Sequence, residues 1–501
     1  MNELEGKPHL PAAALKSLIF KFIFLPPTPN LISKIGNYVL LGLAYLAGMF
    51  HWAWLLNYGR VDYKYSDWQK FFDYYGVIQK ALAEKTIPYF MPHFYKGTNQ
   101  FLAIPETDLS PMVFLLNSMS VQEFFLAQCL ILYSLGFAGC LWIKKRYQWS
   151  LFVFLSFFLV FNFNGHIVSH LAFGHWPWIS YFLLPFFIVW VLRLIEGDLS
   201  PAHGARLAGV LFGILLLGGL HPFFWCLLFL GLMCLFQKKY FKPVLIGVGL
   251  SLVFSTYRIV PAMITFLDYK NNFAFGFPSI PAFLESMIAI KDFKTVLGPV
   301  LGKIGYYGWW ETNYYIGVLG FGAILYFGIY LRRIKREGWE NQDYRVLDGP
   351  MIVFTILSFS YMYGLFTHLP IPLITVERIS SRFFIVPLLF LLALSSIGIQ
   401  QMLNRSKWNW SLMGLALSGI LLEGLMLLSH SFVWQVKTLQ IEMQKEDVLW
   451  IDPVSEWAKS MEEYYVPVVQ ISFGVSVTAI VVFFGTFLVF KFKQRSLSGK
   501  T

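Results

Sequence analysis

The stretch at residues 37–56, NYVLLGLAYLAGMFHWAWLL, has twenty residues and contains no Asp, Glu, Lys or Arg. A helix of about twenty apolar residues crosses the hydrocarbon core of a bilayer, so this stretch predicts a transmembrane helix. Eleven further apolar stretches follow along the chain. The twelve predicted spans are residues 37–56, 123–143, 149–164, 176–195, 206–219, 222–237, 243–264, 313–331, 350–367, 382–400, 409–429 and 467–490.

The composition is typical of a membrane protein. Hydrophobic residues make up 57% of the 501 residues and charged residues 13%, and the mean hydropathy is +0.58. Soluble domains are usually about 45–50% apolar and about 25% charged. We therefore expect an all-α polytopic membrane protein in which residues 1–501 form a single transmembrane domain, with no separate soluble domain.

The basic residues indicate the orientation of the chain. They cluster at alternate ends of the apolar stretches, at residues 144–146, 193–206, 238–239, 332–336, 405–407 and 491–495. Cytoplasmic loops of membrane proteins are enriched in Lys and Arg. The net charge of +11 therefore reflects topology and contact with lipid headgroups, and predicts no nucleic-acid partner. We expect both termini in the cytoplasm and external loops at residues 57–122, 265–312, 368–381 and 430–466.

The first external loop begins with a polar and aromatic segment, residues 65–94, YSDWQKFFDYYGVIQKALAEKTIPYFMPHF. Its apolar positions recur at steps of three and four, which predicts an amphipathic helix lying at the membrane interface. These positions are Trp68, Phe71, Phe72, Tyr75, Ile78 and Leu82. Asp67 stands at the start of this helix. Two hypotheses follow for its carboxylate, a helix cap and a general base beside a lipid substrate.

Residues 66–111 resemble the first external loop of GT-C glycosyltransferases, polytopic enzymes that take a sugar from a polyprenyl-phosphate donor. The matching positions are Asp67, Pro88, Pro92, Gly97, Pro105 and Pro111. Residues 165–187, 218–225, 257–262, 308–318 and 377–384 are similar to segments of GT-C-like bacterial proteins. The resemblance implies a GT-C bundle in a bacterial inner membrane, with an external active site in which Asp67 is the general base.

The sequence departs from the GT-C pattern in its acidic residues. No Asp-x-Asp motif surrounds Asp67, and the close acidic pair of the loop is Glu106 and Asp108. Many metal-dependent members of the family use such a pair. If the protein has a divalent metal cofactor, Mg²⁺ or Mn²⁺, Glu106 and Asp108 are its candidate ligands.

Four histidines lie in the predicted external turns. His166, His170 and His175 share one turn, and the step of four puts His166 and His170 on one helix face. A zinc site is one hypothesis, although neither a His-Glu-x-x-His motif nor a nearby cysteine supports it. The other is contact with substrate, including the donor phosphate. His221 in the next external turn has the same alternatives.

Three arginines and a glutamate complete the candidate substrate-binding residues. Arg258, Arg378 and Arg382 lie at the external ends of spans, where a guanidinium group suits a phosphate. Snorkelling to the interface or pairing of Glu377 with Arg378 are the structural alternatives. Glu311, next to Trp309 and Trp310, is a candidate ligand for a sugar ring.

Two other function classes remain open at this stage. A transporter or flippase for a lipid-linked substrate would also have about twelve spans, but the chain shows no repeated half. A non-catalytic structural subunit with a GT-C fold, bound to partner membrane proteins, is the second alternative, because a fold does not determine a function.

Overall fold

The computed structural model describes residues 23–26, 31–95, 98–266, 275–294, 296–299, 306–335, 344–366, 377–405, 410–445 and 462–498. Gly97, residues 368–376 of the predicted loop 368–381 and residues 446–461 of the predicted loop 430–466 lie outside the described residues. The helices are α1 Leu31–Leu55, α2 Trp68–Ala83, α3 Val121–Arg146, α4 Leu151–Phe163, α5 Gly165–Ala172, α6 Leu184–Ile195, α7 Pro201–Leu216, α8 Leu220–Phe236, α9 Phe241–Phe254, α10 Thr256–Thr265, α11 Ile280–Ile288, α12 Gly317–Ala323, α13 Asp348–Leu357, α14 Ser360–Phe366, α15 Ile385–Arg405, α16 Trp410–Val433, α17 Val436–Lys445 and α18 Glu462–Ser498.

Shorter elements connect these helices. Two antiparallel hairpins pair β1 Phe90–Tyr95 with β2 Thr98–Gln100, and β3 Val296–Pro299 with β4 Tyr306–Gly308. A π-helix, Ile324–Lys335, continues α12. The 3-10 helices are Asn57–Gly59, Phe101–Ala103, Pro111–Asn117, Trp176–Leu183, Lys238–Tyr240, Trp309–Glu311, Tyr344–Leu347 and Ser380–Phe384.

The described residues confirm an all-α polytopic membrane protein. Seven helices among them are long and apolar enough to cross a bilayer, and α9 and α10, bent by 72°, would together make an eighth span. The seven include Val121–Arg146, Leu151–Ala172 and Ser380–Arg405. Helices α7 and α8 are apolar but shorter than eighteen residues.

The third predicted span is longer than the sequence suggests. Asn164 ends α4, and its side-chain oxygen accepts a hydrogen bond from the Ile167 N–H in the first turn of α5. The two helices together form one apolar span, Leu151–Ala172. Gly165 leaves room at this joint, since a Cβ there would lie 2.1 Å from Asn313 Oδ1. His166 and His170 therefore lie in a helix that continues the span, where the sequence predicted an external turn.

The predicted span at residues 350–367 is broken in the structure. Helix α13 ends at Leu357 and α14 begins at Ser360. At the break, Ser358 O accepts a hydrogen bond from the Phe277 N–H (3.0 Å), and Phe277 O accepts one from the Ser360 N–H (3.3 Å). The neighbouring segment thus takes over backbone groups that a continuous helix would pair internally.

The two ends of the bundle have different chemistry. At one end, Glu196 joins three connecting segments, because it accepts hydrogen bonds from Arg146, from Tyr147 (2.6 Å) and from Tyr344 (3.1 Å). This end carries most of the clustered lysines and arginines. The opposite end carries the segment before α2, the α5 C-terminus and the Trp309–Glu311 turn. It is there that the candidate residues meet.

Candidate functional site

Seven ionisable side chains from separate parts of the chain form one connected set, which we call the polar cluster. It consists of Asp67, His170, His175, His221, Glu311, Glu377 and Arg382. Six of these residues were candidates from the sequence. The segments that carry them are the start of α2, α5 and the turn after it, the start of α8, the Trp309–Glu311 turn and residues 377–384.

Glu311 and Arg382 form the centre of the polar cluster. Arg382 donates from Nε to Glu311 Oε2 (2.8 Å) and from Nη2 to Oε1 (2.7 Å), a bidentate geometry that fixes both planes. The two residues are only 3% and 5% exposed. The Ser381 hydroxyl also donates to Glu311 O (2.7 Å), so the turn is held at its backbone as well.

Glu377 extends the cluster toward α8. Its Oε2 lies 2.8 Å from His221 Nδ1 and accepts a hydrogen bond from Trp225 Nε1 (3.0 Å). Its Oε1 accepts one from the Ile379 N–H and lies 3.6 Å from Arg382 Nη1. From the sequence, Glu377 was expected only to pair with the adjacent Arg378. These contacts across the bundle were missed because they join residues about 150 positions apart.

His166 and His170 lie one turn apart on α5, and their hydrogen bonds set their tautomers. His170 Nδ1 lies 2.8 Å from the His166 carbonyl oxygen, which can only accept, so Nδ1 carries a proton. The other nitrogen, Nε2, faces Glu311 Oε2 at 3.4 Å. His166 Nε2 accepts a hydrogen bond from Trp178 Nε1 (3.1 Å), so the two rings have different roles.

Asp67 lies at the edge of the polar cluster. Its Oδ2 is 3.6 Å from His175 Nε2, and its side chain is 42% exposed, whereas that of His175 is 9% exposed. Asp67 occupies the N-cap position of α2, but its side chain makes no capping hydrogen bond to that helix. The cap hypothesis therefore fails for the side chain, and the carboxylate faces both His175 and the exterior.

Trp68 fixes Asp67 in this place. Its indole Nε1 donates to Ala172 O at the end of α5 (3.0 Å), and its ring is fully buried. Gly174 has a positive φ of +83°, and a Cβ there would lie 2.7 Å from the Trp68 nitrogen. The close approach of these two backbones brings Asp67 to His175.

The ionisation of the polar cluster follows from burial and charge. Burial alone would raise the pKa of the Glu311 carboxyl, but Arg382, His170 and His175 hold it well below its ordinary value. Glu377 behaves in the same way, since His221 and Arg382 outweigh the effect of its burial and lower its pKa. Burial holds the pKa of His175 well below its ordinary value. The cluster thus combines ionised carboxylates with a neutral His175.

Aromatic rings surround the charged groups. The Trp178 ring stacks on His170 at 4.9 Å, and the Arg382 guanidinium lies 4.6 Å from the Trp178 ring centroid. Trp310 stacks on Phe173 at 3.8 Å. Such faces position planar side chains and also suit the apolar face of a sugar ring.

Two of the three candidate arginines lie away from the centre of the cluster. Arg258 donates to Ile104 O (2.7 Å), Thr107 Oγ1 (2.6 Å) and Thr107 O (2.6 Å), and it is 1% exposed. It therefore holds the segment before α3 on α10, a structural role that the sequence did not predict. Arg378 is half-buried next to Glu377 in the chain.

The structure does not bring Glu106 and Asp108 together as a metal pair. Glu106 forms an ion pair with Lys70. Asp108 Oδ1 accepts a hydrogen bond from the Ser110 N–H (2.6 Å), and its Oδ2 accepts one from Gln128 Nε2. The two carboxylates are thus engaged with different partners. Only Thr107 separates them in the sequence, but their partners in the fold give them different roles.

A cavity of about 510 Å³ lies beside the segment that leads to Asp67. Its lining residues are Arg60, Val61, Asp62, Tyr63, Lys64 and Gln122. The Tyr63 ring lies 6.4 Å from the Trp68 ring, next to Asp67. Sequence reasoning missed Arg60 and Lys64. A signal was present, since two basic residues at the end opposite the basic clusters depart from the positive-inside rule.

Comparison with known proteins gives no assignment, because no family model, no curated protein and no solved structure matches this chain.

Proposed function

We propose that the protein is a membrane glycosyltransferase of the GT-C type, which moves a sugar from a polyprenyl-phosphate donor to an acceptor hydroxyl at the membrane surface. The observation that carries the proposal is the position of Asp67. A partly exposed carboxylate beside a neutral histidine, at the rim of a buried polar cluster, can accept a proton from a hydroxyl group.

The reaction needs one proton transfer and one displacement. The acceptor oxygen attacks the anomeric carbon of the sugar, while the bond from that carbon to the phosphate oxygen breaks. Asp67 takes the proton of the acceptor hydroxyl. The polyprenyl phosphate leaves with the electron pair of the broken bond, and its charge is stabilised by nearby cations.

The cations that we propose for the donor phosphate differ in part from those that the sequence favoured. Arg258 donates from Nη1 and Nη2 to backbone and hydroxyl oxygens of Ile104 and Thr107, and Arg382 is held by Glu311. Arg378, half-buried beside Glu377, keeps its proposed role, and the cavity beside the segment that leads to Asp67 adds Arg60 and Lys64, together with Asp62. Arg382 and Glu311 then act as positioning residues for the histidines.

The proposal includes a finer topology. Twelve spans would follow if α7, α8, the bent pair α9 and α10, the α12 π-helical segment and the broken pair α13 and α14 also cross the membrane, each over a short or interrupted path. Both termini would then be cytoplasmic, and the polar cluster would face the outside of a bacterial inner membrane.

A transfer assay tests the proposed function. Purified protein in proteoliposomes is given a panel of radiolabelled polyprenyl-phosphate sugars and simple acceptors. General-base catalysis contributes about 10²–10⁴-fold, so Asp67→Asn should lower the transfer rate by at least about 100-fold. Glu84→Gln, a change of an exposed carboxylate at the other end of α2, is the matched control and should retain activity.

Three results would contradict this proposal. Equal activity in wild type and Asp67→Asn would remove Asp67 from the chemistry. If wild type transfers no sugar from any donor, the non-catalytic subunit becomes the better hypothesis, since Glu311 and Arg382 would then serve only the packing of the bundle. Movement of the labelled lipid without transfer would favour a flippase.

A further inference from the structure

His170, His175 and Glu311 form a compact group of metal-ligand types. One ligand atom from each lies within 4.8 Å of the others, and all three residues are buried. They come from the end of α5, the turn after it and the Trp309–Glu311 turn. Glu311 lies more than 130 residues from the two histidines in the chain, so the fold and not a short sequence motif brings the three residues together.

The contact between His170 and Glu311 brings two acceptor atoms together. His170 Nδ1 carries its proton toward the His166 carbonyl, so Nε2 of the neutral ring has a lone pair. That lone pair faces a carboxylate oxygen at 3.4 Å. Among the described residues, His170 Nε2 is a buried atom with no hydrogen-bond partner. Two acceptors that face each other require a cation or a proton between them.

The distance suits a tetrahedral ion. Ligand atoms about 2.1 Å from a tetrahedral Zn²⁺ lie about 3.4 Å from each other. The Nε2 of His170 and the Oε2 of Glu311 have this separation. Oε2 also accepts from Arg382 Nε, but a carboxylate oxygen has a second lone pair for an ion.

His175 offers the third ligand. Its Nε2 faces Asp67 at 3.6 Å, and its Nδ1 is buried without a hydrogen-bond partner among the described residues. A histidine with one nitrogen toward a carboxylate and the other toward a metal is a frequent arrangement in metal sites. His166 does not belong to the three-ligand group, and its Nε2 accepts the Trp178 N–H.

We propose that His170, His175 and Glu311 bind one divalent transition-metal ion of the Zn²⁺ class. Two imidazole nitrogens and one carboxylate oxygen favour such an ion over Mg²⁺, which prefers oxygen ligands. Three protein ligands leave a fourth position for water or a substrate oxygen, and Asp67 stands on the exposed side of the set. The site does not depend on sugar transfer, so each proposal can fail without the other.

Metal binding is measured directly on the purified full-length protein in detergent. The protein is stripped with a chelator and titrated with Zn²⁺ or Co²⁺ alone, with no lipid donor present. We expect one tightly bound equivalent, a rise of Tm with Zn²⁺, and the visible absorption of tetrahedral Co²⁺ with nitrogen ligands. Loss of a residue that only hydrogen-bonds to a metal ligand lowers metal affinity by about 10–100-fold. His170 and His175 are proposed as ligands themselves, so His170→Gln and His175→Gln should each lower the Zn²⁺ affinity by at least about tenfold.

His203→Gln is the matched control. His203 is buried and its Nδ1 lies 3.3 Å from Asp198 Oδ2, much like His170 and Glu311, but it belongs to no three-ligand group among the described residues. Its substitution should leave the Zn²⁺ affinity unchanged. If the cluster variants do not fold, the Co²⁺ spectrum of wild type alone decides.

Three outcomes would overturn the site. These are a wild type that retains no Zn²⁺ after stripping and titration, a Co²⁺ spectrum typical of six oxygen ligands, and equal affinity in wild type and both cluster variants.

Discussion

At the scale of single residues, Asp108 shows how burial changes the ionisation of a side chain. It is 2% exposed, and burial raises its pKa from an ordinary value of 3.8 to about 6, although hydrogen bonds from Ser110 and Gln128 act in the opposite direction. The folded protein therefore binds this proton more tightly than the unfolded chain does. The contribution of Asp108 to the free energy of unfolding should therefore be largest below about pH 4 and should be lost as the pH rises through about 6.

Asp108→Asn should remove this component of the pH dependence. The shift of about two pKa units corresponds to about 3 kcal/mol at most, so the Tm of the variant should fall less than that of wild type between pH 4 and 7. Thermal unfolding in detergent measures both slopes. Asp62→Asn, whose side chain is exposed, should keep the wild-type slope. Identical slopes in wild type and Asp108→Asn would contradict the prediction.

At the scale of elements, the turn between α5 and the Trp176–Leu183 helix depends on Gly174. A residue with a Cβ would be strained at a φ of +83° and would meet the Trp68 backbone. Strain of this kind costs about 1–3 kcal/mol before the steric contact is included. Gly174→Ala should therefore lower the Tm and weaken every property that needs Asp67 beside His175.

Gly76→Ala provides the comparison within α2. No atom lies within 4 Å of a Cβ at Gly76, and alanine favours a helix over glycine by about 0.5–1 kcal/mol. This variant should have an unchanged or slightly raised Tm, measured under the same conditions. A Gly174→Ala protein as stable as Gly76→Ala would show that the turn relaxes without cost.

The elements also show how far the sequence could predict the structure. Steps of three and four predict a helix after Asp67, and the chain forms α2 there with Trp68, Phe71 and Tyr75 buried. The break at residues 358–359 was not predictable, because it arises from backbone hydrogen bonds to Phe277. The spacing of apolar residues predicts local helices. It cannot predict a break that depends on hydrogen bonds to a segment far away in the sequence.

The candidate site shows the same division. Histidines and arginines that are costly near a membrane marked His170, His175 and Arg382 as functional candidates, and the structure brings these three together. The same argument marked Arg258 as a functional candidate, but in the structure Arg258 donates hydrogen bonds to the backbone carbonyls of Ile104 and Thr107. The free-energy cost of placing a charged side chain near a membrane indicates that the side chain has a partner. Only the fold shows whether that partner belongs to a functional site.

At the scale of the whole molecule, the polar cluster and the basic clusters lie at opposite ends of the bundle. Single cysteines at Tyr58, which is 52% exposed, and at Gln148, which is also exposed, mark these two ends. A membrane-impermeant maleimide should label Tyr58→Cys in intact cells and Gln148→Cys only after permeabilisation. The native Cys129, Cys140 and Cys226 are buried and Cys234 is half-buried, so background labelling should be low. The reverse pattern would invert the proposed orientation.

The ion pair at the centre of the cluster also has a consequence for biosynthesis. Glu311 leaves the ribosome 71 residues before Arg382, its bidentate partner. At about 5–20 residues per second, the carboxylate waits roughly 4–14 seconds for its counter-charge. During this interval the nascent chain must keep Glu311 in water or in the translocon, and the end of the bundle can close only when residues 377–384 arrive. Translation pauses between these two positions should therefore expose the half-assembled chain to proteases of the membrane.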